Sequence, residues 1–353
     1  MNPAHSKDIR VLKSLGWILL ILVLIVTICF CAKIRREERL KPGAKRVVKG
    51  KPTPSTCPVC GVETTSGAAD RRPIAIMIEN LVSIRPQIGL DKACVIFEAL
   101  TEGGITRLLA VYVHEDAEEI GPVRSARPYY VALACGFNAL YAHCGGSKRG
   151  MEAIKQWGIC DLDQFAYPKA YWRVGGIKAP HNLFTSTSRI REAAERVGFA
   201  KGVGYRGFKF KSEAPLKNRP QSQNIVINFS SQAYKVEYHY HKDSNSYLRF
   251  NGGRPHIDRE TKNQLQPKNV VILYCPTGMY DPQCLNIQII GSGSCLVFRD
   301  GTVVRGTWEK AEPGTQLVIE DEQGVEIPLN RGQTWVEIVK PDTPVGVRPP
   351  QAS

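Results

Sequence analysis

The sequence predicts an α+β protein: a mixed α/β N-terminal domain followed by a β-rich C-terminal domain, behind a single N-terminal transmembrane helix. Three observations carry this. Residues 14–32 are 19 uncharged residues, mostly Leu, Ile and Val, between Lys13 and Lys33. Residues 73–215 alternate short apolar runs with segments of helical period. From residue 222 to 341 the texture is strand after strand, with Asn251-Gly252-Gly253, Asp300-Gly301 and Gln323-Gly324 as hairpin signals.

The apolar stretch spans roughly 28 Å as a helix, close to the bilayer core. It is long for a signal h-region and ends in no small-x-small cleavage site. Val26-Thr27-Ile28 before Cys29, and Ile28-Cys29-Phe30 before Cys31, lack the small residue that lipobox processing needs. Residues 14–32 are therefore read as a retained single-pass anchor after an N-terminal flank, 1–13. Three basic residues precede it and nine follow it up to Lys51, so the positive-inside rule places the folded part in the cytoplasm. Residues 33–72 are charged, then rich in Pro, Thr, Ser and Gly without apolar period, and read as a linker.

In the N-terminal domain Ile74–Ile78, Cys94–Phe97, Ile105–Val113 and Asn138–His143 are continuous apolar runs suited to strands buried on both faces. Ala126–Phe137, Lys148–Trp157 and Thr187–Val197 read as helices, with Ser147 and Ser186 as N-caps of the last two. In the C-terminal domain the expected strands are Asn224–Phe229, Tyr234–His241, Tyr247–Phe250, Val270–Tyr274, Ile287–Ile290, Cys295–Arg299, Thr302–Thr307, Gln316–Glu320 and Trp335–Val339. Residues 342–353 read as a disordered, Pro-rich tail.

The net charge of +14 raises nucleic acid as a partner. Counted by segment, residues 1–70 hold 12 basic and five acidic residues. Half of the excess thus surrounds the anchor and linker, where it suits anionic lipid head groups or wall polymer. No helix carries a basic stripe, which argues against a DNA-binding protein.

GxxxxGK[ST], HExxH and GxSxG are all absent, which removes the standard P-loop, zincin and serine-hydrolase readings. Polar residues gather instead at the ends of the N-terminal strands. Glu98 and Glu102 flank one strand end, as candidates for general acid and base, and His143 for proton transfer. Arg107, Arg124, Ser125 and Arg127 are candidate ligands for a carboxylate or phosphate. Gly145, Gly146 and Ser147, between a strand and a helix, are candidates for an anion cradle. His181 and Asn182 lie in a Gly/Pro-rich loop, and Asp258 is a further candidate. Each has a plain structural alternative: an ion pair, a helix cap, a turn, a loop hydrogen bond.

Cys57-Pro58-Val59-Cys60-Gly61 resembles one knuckle of a zinc ribbon or rubredoxin, half of a tetrahedral thiolate site. No second CxxC exists to complete it, so zinc there needs two further ligands, from another subunit if need be; no other cofactor is implied. Cys94, Cys135 and Cys295 sit in apolar runs and read as core residues. Cys275 and Cys284 bracket a Pro/Gly loop and are placed to pair.

The segments Arg72–Asn80, Arg85–Leu90, Glu98–Arg107, Gly121–Arg127, His143–Ser147, Asn251–Asp258, Val297–Gly301 and Gly306–Trp308 together resemble the YerB-type family of bacterial lipoproteins, a domain family of unknown function. The resemblance runs from Arg72 to about Val339. It implies two domains and an extracytoplasmic, envelope-tethered location, against the charge rule; it supplies no reaction or substrate. A retained anchor in place of a lipidated Cys departs from it.

Two functions from different classes follow. One is a membrane-anchored envelope protein that binds a glycan or anionic ligand, such as peptidoglycan or wall polymer, in an N-domain cleft, with a protein partner left unnamed. The other is a cell-wall glycan hydrolase using Glu98 and Glu102, with His143 or Asp258 assisting. That chemistry needs two carboxylates facing one cleft, about 5–5.5 Å apart for retention and wider for inversion.

Overall fold

In the computed structural model residues 54–200, 204–281 and 284–348 are described. The anchor expected at 14–32 and the basic segment 33–53 lie outside them. Among the described residues no helix is long and apolar enough to cross a membrane.

The chain enters through a short hairpin, β1 (Pro54–Thr56) and β2 (Glu63–Thr65), followed by the one-turn helix Ser66–Ala69. β3 (Ile74–Glu79), β4 (Val95–Leu100) and β5 (Thr106–Tyr112) are buried at every position, as an uninterrupted apolar run demands of a strand covered on both sides. The helices Pro128–Gly136 and Lys148–Trp157 precede β6 (Leu140–His143) and β7 (Cys160–Asp163) respectively. A small hairpin, β8 (Tyr171–Arg173) and β9 (Leu183–Thr185), leads to the helix Thr187–Arg196 and then β10 (Phe210–Lys211).

The second half is strands with only short 3-10 turns: β11 (Asn224–Asn228), β12 (Lys235–His241), β13 (Ser246–Asn251), β14 (Arg254–Pro255), β15 (Asn269–Tyr274), β16 (Thr277–Asp281), β17 (Cys284–Ile287), β18 (Gly291–Arg299), β19 (Thr302–Lys310), β20 (Val318–Asp321), β21 (Leu329–Asn330), β22 (Thr334–Val339) and β23 (Val345–Arg348). The expected class, mixed α/β first and strand-rich second, is what the chain forms.

The two halves share one ten-stranded sheet, ordered β20-β19-β18-β15-β22-β4-β5-β3-β6-β7. The join is β22, which runs parallel to β15 on one side and to β4 on the other. Alternation along the strands sorts the core into two layers. Ala75, Met77, Phe97, Ala99, Leu109 and Val111 face the helix Pro128–Gly136, which is apolar all round and buried except at Cys135. Ile74, Ile76, Ile96, Leu108 and Ala110 face the opposite layer. That layer is the helix Thr187–Arg196 and a five-stranded sheet ordered β14-β13-β12-β11-β23.

Three expectations change here. Pro54–Ala69, read as linker, is folded onto the body: Phe208 N donates to Pro58 O at 3.0 Å and Gly332 N to Cys60 O at 2.8 Å. Val345–Arg348, read as disordered tail, pairs with β11. Cys275 and Cys284 are both free thiols; Cys275 is sealed in the core behind β15, while the Cys284 thiol points at Ser147 Oγ, 3.8 Å away.

Candidate functional site

The polar segments singled out in the sequence do converge. Arg124 N donates to Met77 O (2.9 Å), Ala126 N to Gly145 O (2.9 Å) and Cys144 N to Arg124 O (3.0 Å). These bonds fasten Gly121–Arg127 and His143–Ser147 to each other beyond the end of β3. Arg107, at the start of β5, donates from Nη1 to Ser125 O at 2.9 Å. Arg124 Nε lies 3.2 Å from Glu79 Oε1, and the same carboxylate meets His181 Nδ1 at 2.9 Å. Arg127 clamps Glu102, with Nε at 3.0 and 2.9 Å and Nη2 at 2.6 Å. Glu102 also accepts Leu285 N from β17 at 3.2 Å, so the C-terminal half contributes to the cluster.

Three guanidinium groups thus meet two carboxylates. Glu79 serves Arg124, Glu102 serves Arg127, and Arg107 has no ion pair with any described carboxylate. Burial, with Arg127 and Arg124 nearby, pushes the Arg107 guanidinium down to about 10. Burial alone raises the Glu102 carboxyl, but Arg127 outweighs it and holds the group below its usual range. The side chains of the paired Arg124 and Arg127 stay 20% and 13% exposed, while the unpaired Arg107 is buried beside them.

The other expected site residues hold the scaffold. Both ring nitrogens of the buried His143 are occupied, Nδ1 by Gly145 O and Nε2 by Asp161 Oδ1, each at 2.8 Å, which leaves no ring atom free for proton transfer. Gly145 N donates to Asp163 Oδ1 at 2.8 Å and Ser147 N to Ala126 O at 3.3 Å, so these amides form no open anion cradle. A Cβ on Gly146 would stand 2.9 Å from Met151 Sδ, a packing reason for glycine. Ser147 caps Lys148–Trp157, its Oγ accepting from Gly150 N at 3.1 Å. Asn182 fastens its loop to Arg173 Nη1 (2.8 Å) and Val174 O (3.1 Å). Asp258 is fully buried and accepts Leu90 N and Glu260 N, both at 2.9 Å.

Glu98 lies elsewhere. It points from β4 into the layer between the two sheets and has no exposed surface. Its carboxylate accepts Asn80 Nδ2 (3.0 Å) and Thr106 Oγ1 (2.5 Å) and pairs with Arg249 Nη2. Glu337 stands beside it in register on β22. Tyr238 OH donates to Glu337 Oε1, and Arg249 Nη2 lies 3.6 Å from it. His256 Nδ1 takes an Arg249 Nη1 hydrogen, and His256 Nε2 meets Gln87 Oε1 at 2.9 Å. A hollow of about 440 Å³ lined by Arg85, Asn251, Arg254 and His256 borders this network, and Glu98 does not line it. A hydrolase pair needs both carboxylates open to one cleft; Glu98 is sealed in the core and Glu102 is clamped on another surface. Arg249 and Glu337 were missed in the sequence because a β-strand residue's partner across a layer has no sequence spacing to betray it.

The network has a pH signature. Burial and the Glu98 charge outweigh Arg249 and Tyr238 and push Glu337 up to about 8. An unfolded Glu titrates near about 4.3. Between those values the folded chain holds a proton that the unfolded chain has released, so stability falls as pH rises, by at most about 1.4 kcal/mol per pH unit. Glu337→Gln is neutral throughout, and its amide oxygen still accepts from Tyr238. Its urea-unfolding free energy, relative to the parent, is expected to rise steadily from pH 5 to pH 8. Parallel pH profiles for the two proteins would contradict a protonated Glu337.

The expected metal pair, Cys57 and Cys60, meets two residues far along the chain, Cys94 and His114, all four ligand atoms lying within 4.8 Å of one another. Cys94, read from its apolar surroundings as core filler, is one of this group.

Known proteins share this architecture. The crystal structure of YerB protein from Bacillus subtilis matches with a TM-score of 0.75 at 30% identity, over 83% of this chain and 99% of that one. A Bacillus subtilis (strain 168) protein, YerB, named as a lipoprotein, is 33% identical over 290 residues, 80% of this chain and 85% of its own length. Residues 59–200 match the N-terminal domain and residues 225–336 the C-terminal domain of the family described as Protein of unknown function (DUF3048), and the chain belongs to that family.

Proposed function

We propose that the chain is a membrane-anchored protein of the cell envelope, with its folded part outside the cytoplasm, that binds an anionic group of an envelope glycan at Arg107, Arg124 and Arg127. The relative named as a lipoprotein supports the location, and the apolar segment 14–32 supplies an anchor of its own. The observation that carries the ligand is the charge count: three arginines against two carboxylates, with buried Arg107 left unmatched. A buried cation without a counter-ion is costly, and an arriving carboxylate or phosphodiester supplies one.

The test is sedimentation of the purified full chain with peptidoglycan, with and without its anionic wall polymer. The parent chain is expected to bind and to release as salt rises. Arg124→Ala combined with Arg127→Ala is expected to weaken binding at least tenfold, about 1.4 kcal/mol. Equal binding by the double variant would place the ligand elsewhere.

A further inference from the structure

We propose that Cys57, Cys60, Cys94 and His114 form a structural zinc site that ties the N-terminal hairpin to the central sheet. The four residues come from three places. Cys57 and Cys60 sit in the turn between β1 and β2, Cys94 just before β4, and His114 two residues beyond β5. The three cysteines are 0–2% exposed and none is in a disulfide.

Three of the six distances between the ligand atoms match the edges of a tetrahedron around zinc, and all six are within 4.8 Å. With zinc–sulfur bonds of about 2.3 Å and zinc–nitrogen bonds of about 2.0–2.1 Å, tetrahedral edges are about 3.8 Å between sulfurs and about 3.5–3.6 Å between sulfur and nitrogen. The Cys57 and Cys94 sulfurs are 3.9 Å apart. His114 Nδ1 lies 3.7 Å from the Cys60 sulfur and 3.4 Å from the Cys94 sulfur. Thiols bonded only to one another gain little from such close mutual packing, because S–H groups are weak donors and weak acceptors. A single ion at the centre satisfies all four groups.

The surroundings fit as well. Gly61, at φ +70, closes the turn, and its N–H donates to Cys57 O at 2.7 Å. A Cβ there would strike the Phe210 ring at 2.5 Å, so the knuckle is pressed onto the body by close packing. Cys94 is fixed from both sides: its N–H donates to Val111 O (2.8 Å), and its carbonyl accepts from Thr334 N (3.1 Å). The far nitrogen of the ring, His114 Nε2, faces Glu115 Oε1 at 3.6 Å, the kind of carboxylate partner that orients a ligating imidazole. Four protein ligands leave no position for water or substrate, which makes the site structural rather than catalytic. Thiolate-rich tetrahedral sites select zinc over oxygen-seeking ions.

The experiment uses the full chain, purified in detergent under reducing conditions without added metal. Elemental analysis is expected to find about one zinc per chain, released in full when the thiols are modified. Cobalt(II) added to the metal-free chain is expected to give the strong visible bands of a tetrahedral ion with a thiolate charge-transfer band. Cys60→Ser, Cys94→Ser and His114→Asn are each expected to lose at least nine-tenths of the zinc, while Cys275→Ser keeps it. Iron in place of zinc, a Cys57–Cys60 disulfide in the purified chain, zinc retained by all three variants, or a metal-free parent that gives no tetrahedral cobalt spectrum would each overturn the assignment. The parent's zinc content and cobalt spectrum decide the matter even if a variant fails to fold.

Discussion

Arg249→Met is expected to destabilise the protein by about 3–5 kcal/mol, the loss typical when one partner of a buried charge network is removed. Arg249 has no exposed surface and lies between the two sheets, its guanidinium 3.9 Å from the centroid of the Trp335 ring. It pairs with Glu98, approaches Glu337 at 3.6 Å and donates from Nε to Tyr238 OH at 3.0 Å. Without it, the Glu98 carboxylate loses its counter-ion in a dry layer, beside the Glu337 carboxyl in register on the neighbouring strand. Since whole-protein stability is about 5–15 kcal/mol, the loss is large enough to read directly from urea unfolding. The triple variant Arg249→Met, Glu98→Gln, Glu337→Gln is expected to recover part of it, because it removes the stranded Glu98 charge and the neighbouring carboxyl along with their partner. A single Arg249→Met within about 1 kcal/mol of the parent would mean that the network contributes no more than a surface ion pair.

That network also explains why Glu98 reads as a catalytic residue in the sequence and is not placed as one. A carboxylate at the end of an apolar strand, followed by Gly-Gly and an arginine, has the same pattern whether it faces a cleft or a second sheet. What decides is Arg249, 151 positions later, and Glu337, on the strand that joins the two halves. The strands and helices themselves were legible because the signals are local. Ser147 and Ser186 cap the helices they precede, and the continuous apolar run Ile74–Ile78 is a strand buried on both faces. The sharing of one sheet was not legible, since β22 inserts between β15 and β4 by a pairing across the whole chain. Arg107, Arg124 and Arg127 were legible as a group because their segments are short and close in sequence. Their uneven pairing with Glu79 and Glu102 needed coordinates. For Cys57 and Cys60 the sequence showed half a site; the other half was hidden in a strand end, where Cys94 resembles any small apolar residue.

Removing the metal from the native full chain is expected to release the hairpin β1–β2 before the rest of the molecule unfolds. The hairpin is six paired residues, and a hairpin of that size has little stability of its own. Its remaining attachments are the burial of Cys57, Val59 and Cys60 with Val62 packed beside them, the backbone bonds to Phe208 and Gly332 and an exposed ion pair between Glu63 and Arg331 at 3.4 Å. A structural zinc site contributes free energy on the order of 10 kcal/mol in isolated fingers, well above what a few buried side chains and two hydrogen bonds supply here. The central sheet keeps its own core on both faces and stays folded. Chelation should therefore produce new protease cuts between Pro54 and Thr65 while the remainder resists, and a fall in melting temperature of about 10 °C or more. The scale is about 2–4 °C per kcal/mol for a domain of this general size. Returning one equivalent of zinc should restore both. If the chain, verified as metal-free, melts and is cut like the parent, the four residues do not depend on an ion for their packing, and the hairpin is held by its hydrophobic contacts alone.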